Sequence, residues 1–429
     1  MNPSGLSFEQ APPFSVPLRF FLAAPVFLVL AAVLMLWEGP QLFASRWLPA
    51  TLALTHLLVL GFMAQVMLGA LLQILPVAVG VTVPYPRLTA ALIHIPLTLG
   101  TLALSSAFLF SLRAGFAHAM GLLGLGFGVA LIAFHIALWR APVASGTVIA
   151  LRCAVGALLV TVALGLLLAG SLNWGWSLPV VAVTNLHAVW GLAGWTTLLL
   201  AGVAYQVVPM FHITPPYPAW LIQGFAPLMA GGLAAWSVFI LMEWTVAATV
   251  AGLALAAGLM VLAAGTLYLF TQRRRKISDP TLGYWRISMV SLLAGAALWW
   301  TTRSIPTLTT SPQVELWLGI LLIFGFAVGV INGMLYKIAP FLAWFHLQAQ
   351  LLGRAKAPNI KQLLPDAPVR RQKWALLATL LLLLAAVLYP AVFTYPAALA
   401  LGATGVGLGV NLFSVARIYS RALTRKGLM

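Results

Sequence analysis

Apolar residues run along this chain in stretches of about twenty, long enough to cross a hydrocarbon core as helices, and about twelve such stretches can be marked. They lie near 17–37, 49–76, 88–111, 115–139, 146–171, 180–209, 219–241, 244–271, 284–302, 314–342, 372–392 and 395–417. Membrane-spanning strands would alternate in polarity and run about half as long. The pattern therefore predicts an all-α integral membrane protein, a single transmembrane domain over 1–429. The first stretch has no small-residue cleavage site behind a basic start, so it reads as a retained helix rather than a signal peptide.

Inside this pattern one motif recurs. Gly69, Gln73 and Pro76 return as Gly202, Gln206 and Pro209, then as Gly333, Lys337 and Pro340. Two copies continue into the same tripeptide, Pro84-Tyr85-Pro86 and Pro216-Tyr217-Pro218. The chain reads as a triplication with pseudo-repeats at about 15–140, 145–271 and 284–420. The predicted architecture is thus three pseudo-symmetric four-helix arcs. The glycines allow neighbouring helices to approach closely, and each proline frees a carbonyl that the glutamine is expected to satisfy. His56 and His187 precede the glycine of the first two copies, and the third has no counterpart.

Composition narrows the class. With 62% hydrophobic and 7% charged residues, too little polar surface remains to cover a water-soluble globule. A net charge of +17 would suggest nucleic acid, but the basic residues are sorted by side. Arg19, Arg87, Arg140, the run 273–276, Arg286, the stretch 354–373 and the tail 417–426 fall at one set of connections; only Arg46, Arg113 and Arg303 fall at the other. The positive-inside rule then predicts cytoplasmic N and C termini in a bacterial-type inner membrane, with the bilayer as partner and no nucleic acid. The longest connection, about 343–371, is expected to be a basic cytoplasmic loop. The single cysteine, Cys153, excludes an intramolecular disulfide and a cysteine metal cage.

Alternating helix direction converts position into depth. Of the seven histidines, His56, His118 and His187 fall in the outer half on helices running the same way, whereas His94, His135, His212 and His346 fall in the cytoplasmic half. An ionisable group in hydrocarbon is costly unless it is paired, lines a cavity or ligates a metal. The outer three are therefore candidate ligands, with interhelical hydrogen bonding as the other reading. All six acids lie at helix ends or in loops, so the intramembrane carboxylate usual in proton-coupled transport is missing. Lys337 replaces the repeat's glutamine; it either neutralises an anion such as a propionate or snorkels to the interface. Trp190 and Trp195, near His187, are placed to pack against a porphyrin.

Three groups of four helices with special residues on the inner member resemble the haem-copper oxidase catalytic subunit, and most closely the NnrS family. His56, Gly61-Phe62, Gly69 and Pro76 match that family's second helix in order and spacing, and His187-Ala188 with His212 looks like its sixth. The resemblance implies a haem-containing, and in that family also copper-containing, twelve-helix protein linked to nitric oxide or respiratory metabolism. The departures are specific. His56-Leu57 stands where the family has His-Glu, and the tenth and seventh helices lack the histidines of an oxygen-reducing centre. By similarity His56 corresponds to a low-spin haem ligand, with His187 or His118 as its partner.

The expectation is a membrane protein binding haem b, with copper as the alternative metal, through His56, His187 and next His118, without proton pumping. Nitric oxide or another diatomic gas is the implied ligand if one axial position is open. If two histidines fill both positions, electron transfer with a quinol or a periplasmic cytochrome is implied, and an oxidoreductase becomes the rival. A transporter or metal-delivery protein without chromophore is the other.

Overall fold

In a computed structural model that describes residues 11–274, 278–305, 308, 311–351 and 357–424, every regular element is helical. Glu9, Arg275, Lys276, Arg354, Lys356, Arg425 and Lys426 lie outside the described residues. The long helices are α1 Ser15–Phe43, α2 Pro49–Val77, α3 Pro86–Leu109, α4 Arg113–Trp139, α5 Gly146–Trp174, α6 Val180–His212, α7 Ala219–Leu241, α8 Thr245–Thr271, α9 Pro280–Ser304, α10 Pro312–Gln350, α11 Asp366–Leu388 and α12 Pro390–Thr424. Among the described residues, eleven of these are long and apolar enough to span a membrane. The exception is α9, which carries Arg286, Trp299, Trp300 and Arg303 and is less apolar, although it packs among the others.

Local chemistry sets the helix starts. Proline opens α2, α3, α9, α10 and α12, where its missing N–H costs nothing. Ser145 caps α5 by accepting from the Val148 amide, and Asp279 caps α9 by accepting from the Thr281 amide. At the far end of α5, Gly175 takes the left-handed conformation that stops the helix.

Successive helices pack side by side, and α1 packs against α12, so the bundle closes on itself. Helices α2, α6 and α10 form its middle, with α10 touching both of the others. Each also packs on the helix before it through glycines. A Cβ on Gly69 would meet Phe20 of α1 at 2.7 Å, one on Gly202 would meet Ala150 of α5 at 3.0 Å, and one on Gly333 would meet Tyr284 of α9 at 2.4 Å. These approaches are close because no side chain intervenes.

The same three helices widen into π-helical segments: Leu57–Ala64 in α2, Trp190–Thr196 in α6 and Ile320–Val328 in α10. Each segment contains a glycine followed by an aromatic residue, Gly61-Phe62, Gly194-Trp195 and Gly325-Phe326, at one fixed spacing ahead of the repeat glycine. Segments of this kind concentrate at functional sites, because the extra residue in the turn re-aims nearby side chains.

Two expectations are corrected. The glutamines do not satisfy the carbonyls freed by the prolines. Gln206 Nε2 instead donates to Thr147 Oγ1 of α5 at 3.3 Å, and the buried Gln73 amide has no partner among the described residues. The loop expected over 343–371 is helical at both ends: α10 continues to Gln350, a short helix spans Ile360–Leu363, and α11 starts at Asp366.

Candidate functional site

The ends at which α2, α6 and α10 begin enclose a cavity of about 1210 Å³. This exceeds the range of about 300–1,000 Å³ usual for a small-molecule pocket. Its wall is mostly apolar, drawn from the middle helices and the helices packed on them. All three arginines that the sequence assigns to the minority face, Arg46, Arg113 and Arg303, line it, and Glu315 is the one acid in the lining among the described residues. Arg46 lies against Glu315, whereas Arg303 stacks on Trp299 with its guanidinium carbon 4.8 Å from the ring centre.

His56 and His187 line this cavity together. Their ring centroids are 6.4 Å apart and their planes differ by 22°. His56 sits immediately before the π segment of α2, and His187 lies just ahead of that of α6. The Nδ1–H of His56 donates to the Leu52 carbonyl at 2.7 Å, one turn back on the same helix. That of His187 donates to the Thr161 carbonyl of α5 at 3.0 Å. A carbonyl can only accept, so Nδ1 carries the proton in both rings and Nε2 is left with its lone pair. This is the arrangement in which second-shell bonds orient metal-ligating imidazoles. Gly165 leaves room for the His187 ring, since a Cβ there would stand 3.0 Å from its Cε1.

Two imidazole nitrogens each about 2 Å from a shared metal put the ring centroids about 6 Å apart. The 6.4 Å between the two near-parallel rings is compatible with that spacing, and each ring offers an imidazole nitrogen. No group of three or more histidine, cysteine or acidic side chains fit to hold a metal occurs among the described residues.

The other expected site residues lie elsewhere. His118 is on an exposed face of α4, outside the cavity lining, with Nδ1 donating to Ala114. Trp190 is buried and outside the lining, its indole N–H given to Ser237 at 2.9 Å; Trp195 is the tryptophan of that segment that lines the cavity. Lys337 is at the opposite end of the bundle, with Nζ 2.8 Å from the Asp279 carboxylate. His212 Nδ1 stands 3.4 Å from the same oxygen, and Arg273 Nε donates to the His212 carbonyl. Burial alone would raise the Asp279 carboxyl, but His212, Lys337 and the Thr281 hydroxyl together hold it well below the usual carboxylate range.

No protein-family model matches this chain, and no curated protein matches it significantly.

Sequence reasoning gave Asn185 and Glu315 no place at the site and read Arg46 only as a topology charge, although all three line the cavity. Their joint role becomes visible only when distant helix ends meet.

Proposed function

We propose that the chain is a haem-b-binding membrane protein in which His56 and His187 would hold the haem, with copper as the alternative metal. The reading rests on one observation: two imidazoles from different helices, each with Nδ1–H committed to a carbonyl, share one apolar cavity with ring centroids 6.4 Å apart. Arg113 and Arg303 at the cavity lining would supply cations for the carboxylates of such a ligand, and the apolar wall would keep water from the imidazole nitrogens. When bound, haem would supply one-electron exchange.

We further assign the bundle a haem-copper-oxidase-like plan of twelve helices in three pseudo-symmetric arcs, resembling the NnrS family. The support is the glycine crossing of α2 on α1, α6 on α5 and α10 on α9, together with a π segment in each middle helix. The cavity then lies in the outer half of a bacterial-type inner membrane, with both termini cytoplasmic, and the activity belongs to nitric oxide or respiratory metabolism without proton pumping. If His56 and His187 both held the haem, electron exchange with a quinol or periplasmic cytochrome would be favoured; if only one held it, nitric oxide or another diatomic gas would be the ligand.

The test is an oxidised and dithionite-reduced absorption spectrum, with pyridine haemochrome and metal analysis, on the purified protein and on His56→Ala and His187→Ala. A b-type spectrum that either substitution abolishes is expected. A colourless, metal-free wild type from cells supplied with haem and copper refutes the reading and leaves the transporter alternative.

A further inference from the structure

His56 and His187 are each oriented by a backbone carbonyl, yet neither of those bonds fixes the distance between them. Leu52 is on α2 with His56, and Thr161 belongs to α5. The separation of the pair depends on how the beginnings of α2 and α6 are held. At that end one side chain reaches both neighbouring middle helices. Arg46, in the connection that leads into α2, donates from Nη2 to Asn185 Oδ1 on α6 at 2.9 Å. Its Nε lies 3.0 Å from Glu315 Oε2 in the first turn of α10. The guanidinium also lies over the Trp47 ring, with its carbon 4.4 Å from the centroid.

Asn185 is in the same helical turn as His187, so a displacement of α6 at Asn185 displaces the imidazole as well. The two partners are held by different nitrogens of one rigid planar guanidinium, Asn185 by a hydrogen bond from Nη2 and Glu315 by an ion pair at Nε, which a lysine ammonium cannot reproduce. Arg46, Trp47, Asn185 and Glu315 all line the cavity that the histidines face. The side chains of Arg46 and Glu315 are 28% and 33% exposed, so the pair is partly shielded from water.

The geometry points to Arg46 as the positioning residue of the site: its Asn185–Arg46–Glu315 bridge clamps the starts of α2, α6 and α10 and sets the spacing of His56 and His187. This rests on the two-histidine reading above. Arg46 touches neither imidazole in this role; it acts through the helix ends.

The test compares wild type, Arg46→Met, Arg46→Lys, Asn185→Leu and Glu315→Gln in two measurements. The first is spectroscopic. The clamp predicts a purely low-spin wild type whose reduced form ignores carbon monoxide, and a high-spin, carbon-monoxide-binding fraction in Arg46→Met. The same change is expected, smaller, in Asn185→Leu and Glu315→Gln, with partial recovery in Arg46→Lys. The second needs no haem. In a Cys153→Ser background, spin labels at Ala44→Cys and Val181→Cys report the distance between the two helix ends. Its distribution is expected to broaden in Arg46→Met and to narrow again in Arg46→Lys. A folded Arg46→Met protein with unchanged distance distribution overturns the clamp whether or not haem is present. Haem-free wild type with a broadened Arg46→Met distribution overturns the cofactor reading and leaves the clamp standing.

Discussion

Replacing Gly333 by alanine tests the packing of the three middle helices most directly. The new methyl group would stand 2.4 Å from Tyr284 Cβ, far inside the separation of about 3.5–4.0 Å at which carbon atoms attract. Tyr284 cannot swing away, because it is fully buried and its hydroxyl donates to the Val369 carbonyl at 3.1 Å. Overpacking of this kind costs about 1–3 kcal/mol, while removing a glycine from a helix interior returns about 1 kcal/mol. The net loss at Gly333 is then about 1–2 kcal/mol, from the upper part of that range. At Gly69 the nearest atom is Phe20 Cβ at 2.7 Å, so the loss is smaller. At Gly202 it is Ala150 Cβ at 3.0 Å, which a slight shift relieves, and the two terms nearly cancel. Thermal or SDS unfolding of the three alanine variants in one detergent should rank Gly333 as most damaging, Gly69 next and Gly202 near wild type. A Gly202→Ala loss exceeding that of Gly333→Ala would refute the reasoning.

Asp279→Asn should lower stability at neutral pH by about 1.5–3 kcal/mol, the worth of a hydrogen bond to a charged group, because Lys337 loses its counter-ion. The Asp279 carboxyl is held below its ordinary value, so its contribution is complete above about pH 4 and is lost as the pH falls from there toward the lowered folded value. Melting curves of wild type and variant should therefore converge on acidification; a gap that widens below pH 4 contradicts the assignment. Asn332→Leu should raise the melting temperature, since the Asn332 amide is fully buried with no partner among the described residues and an unpaired buried group costs about 1–3 kcal/mol. A drop in its melting temperature shows that the amide has a partner the reasoning left out.

Much of the bundle was legible in the order of residues. Apolar stretches of spanning length and the recurrent Gly-x-x-x-Gln/Lys-x-x-Pro unit located the three middle helices, and the depth argument put His56 and His187 at the same level. What stayed hidden depends on helix rotation and on long-range encounter. Helix α4 is apolar nearly all round, so its pattern cannot say which way His118 points. Lys337 looked like an isolated intramembrane cation because Asp279, its partner, belongs to a connection far away in the chain. Arg46 looked like a minority topology charge for the same reason, since Asn185 and Glu315 arrive from two other helices. The π segments also escaped notice, because widening by one residue leaves an apolar run apolar.

The π segments separate two kinds of variation within one helix. A one-residue insertion in an α-helix rotates everything on one side of it by about 100°, given 3.6 residues per turn. A widened turn absorbs such an insertion locally. In this chain the glycine, glutamine-or-lysine and proline seam stays in register on one side of the segments. On the other side, His56 and His187 stand at different distances from their glycines and still reach one cavity. The widened turns thus let side chains at the cavity end of each middle helix be gained, shifted or lost without repacking the glycine seam at the other end.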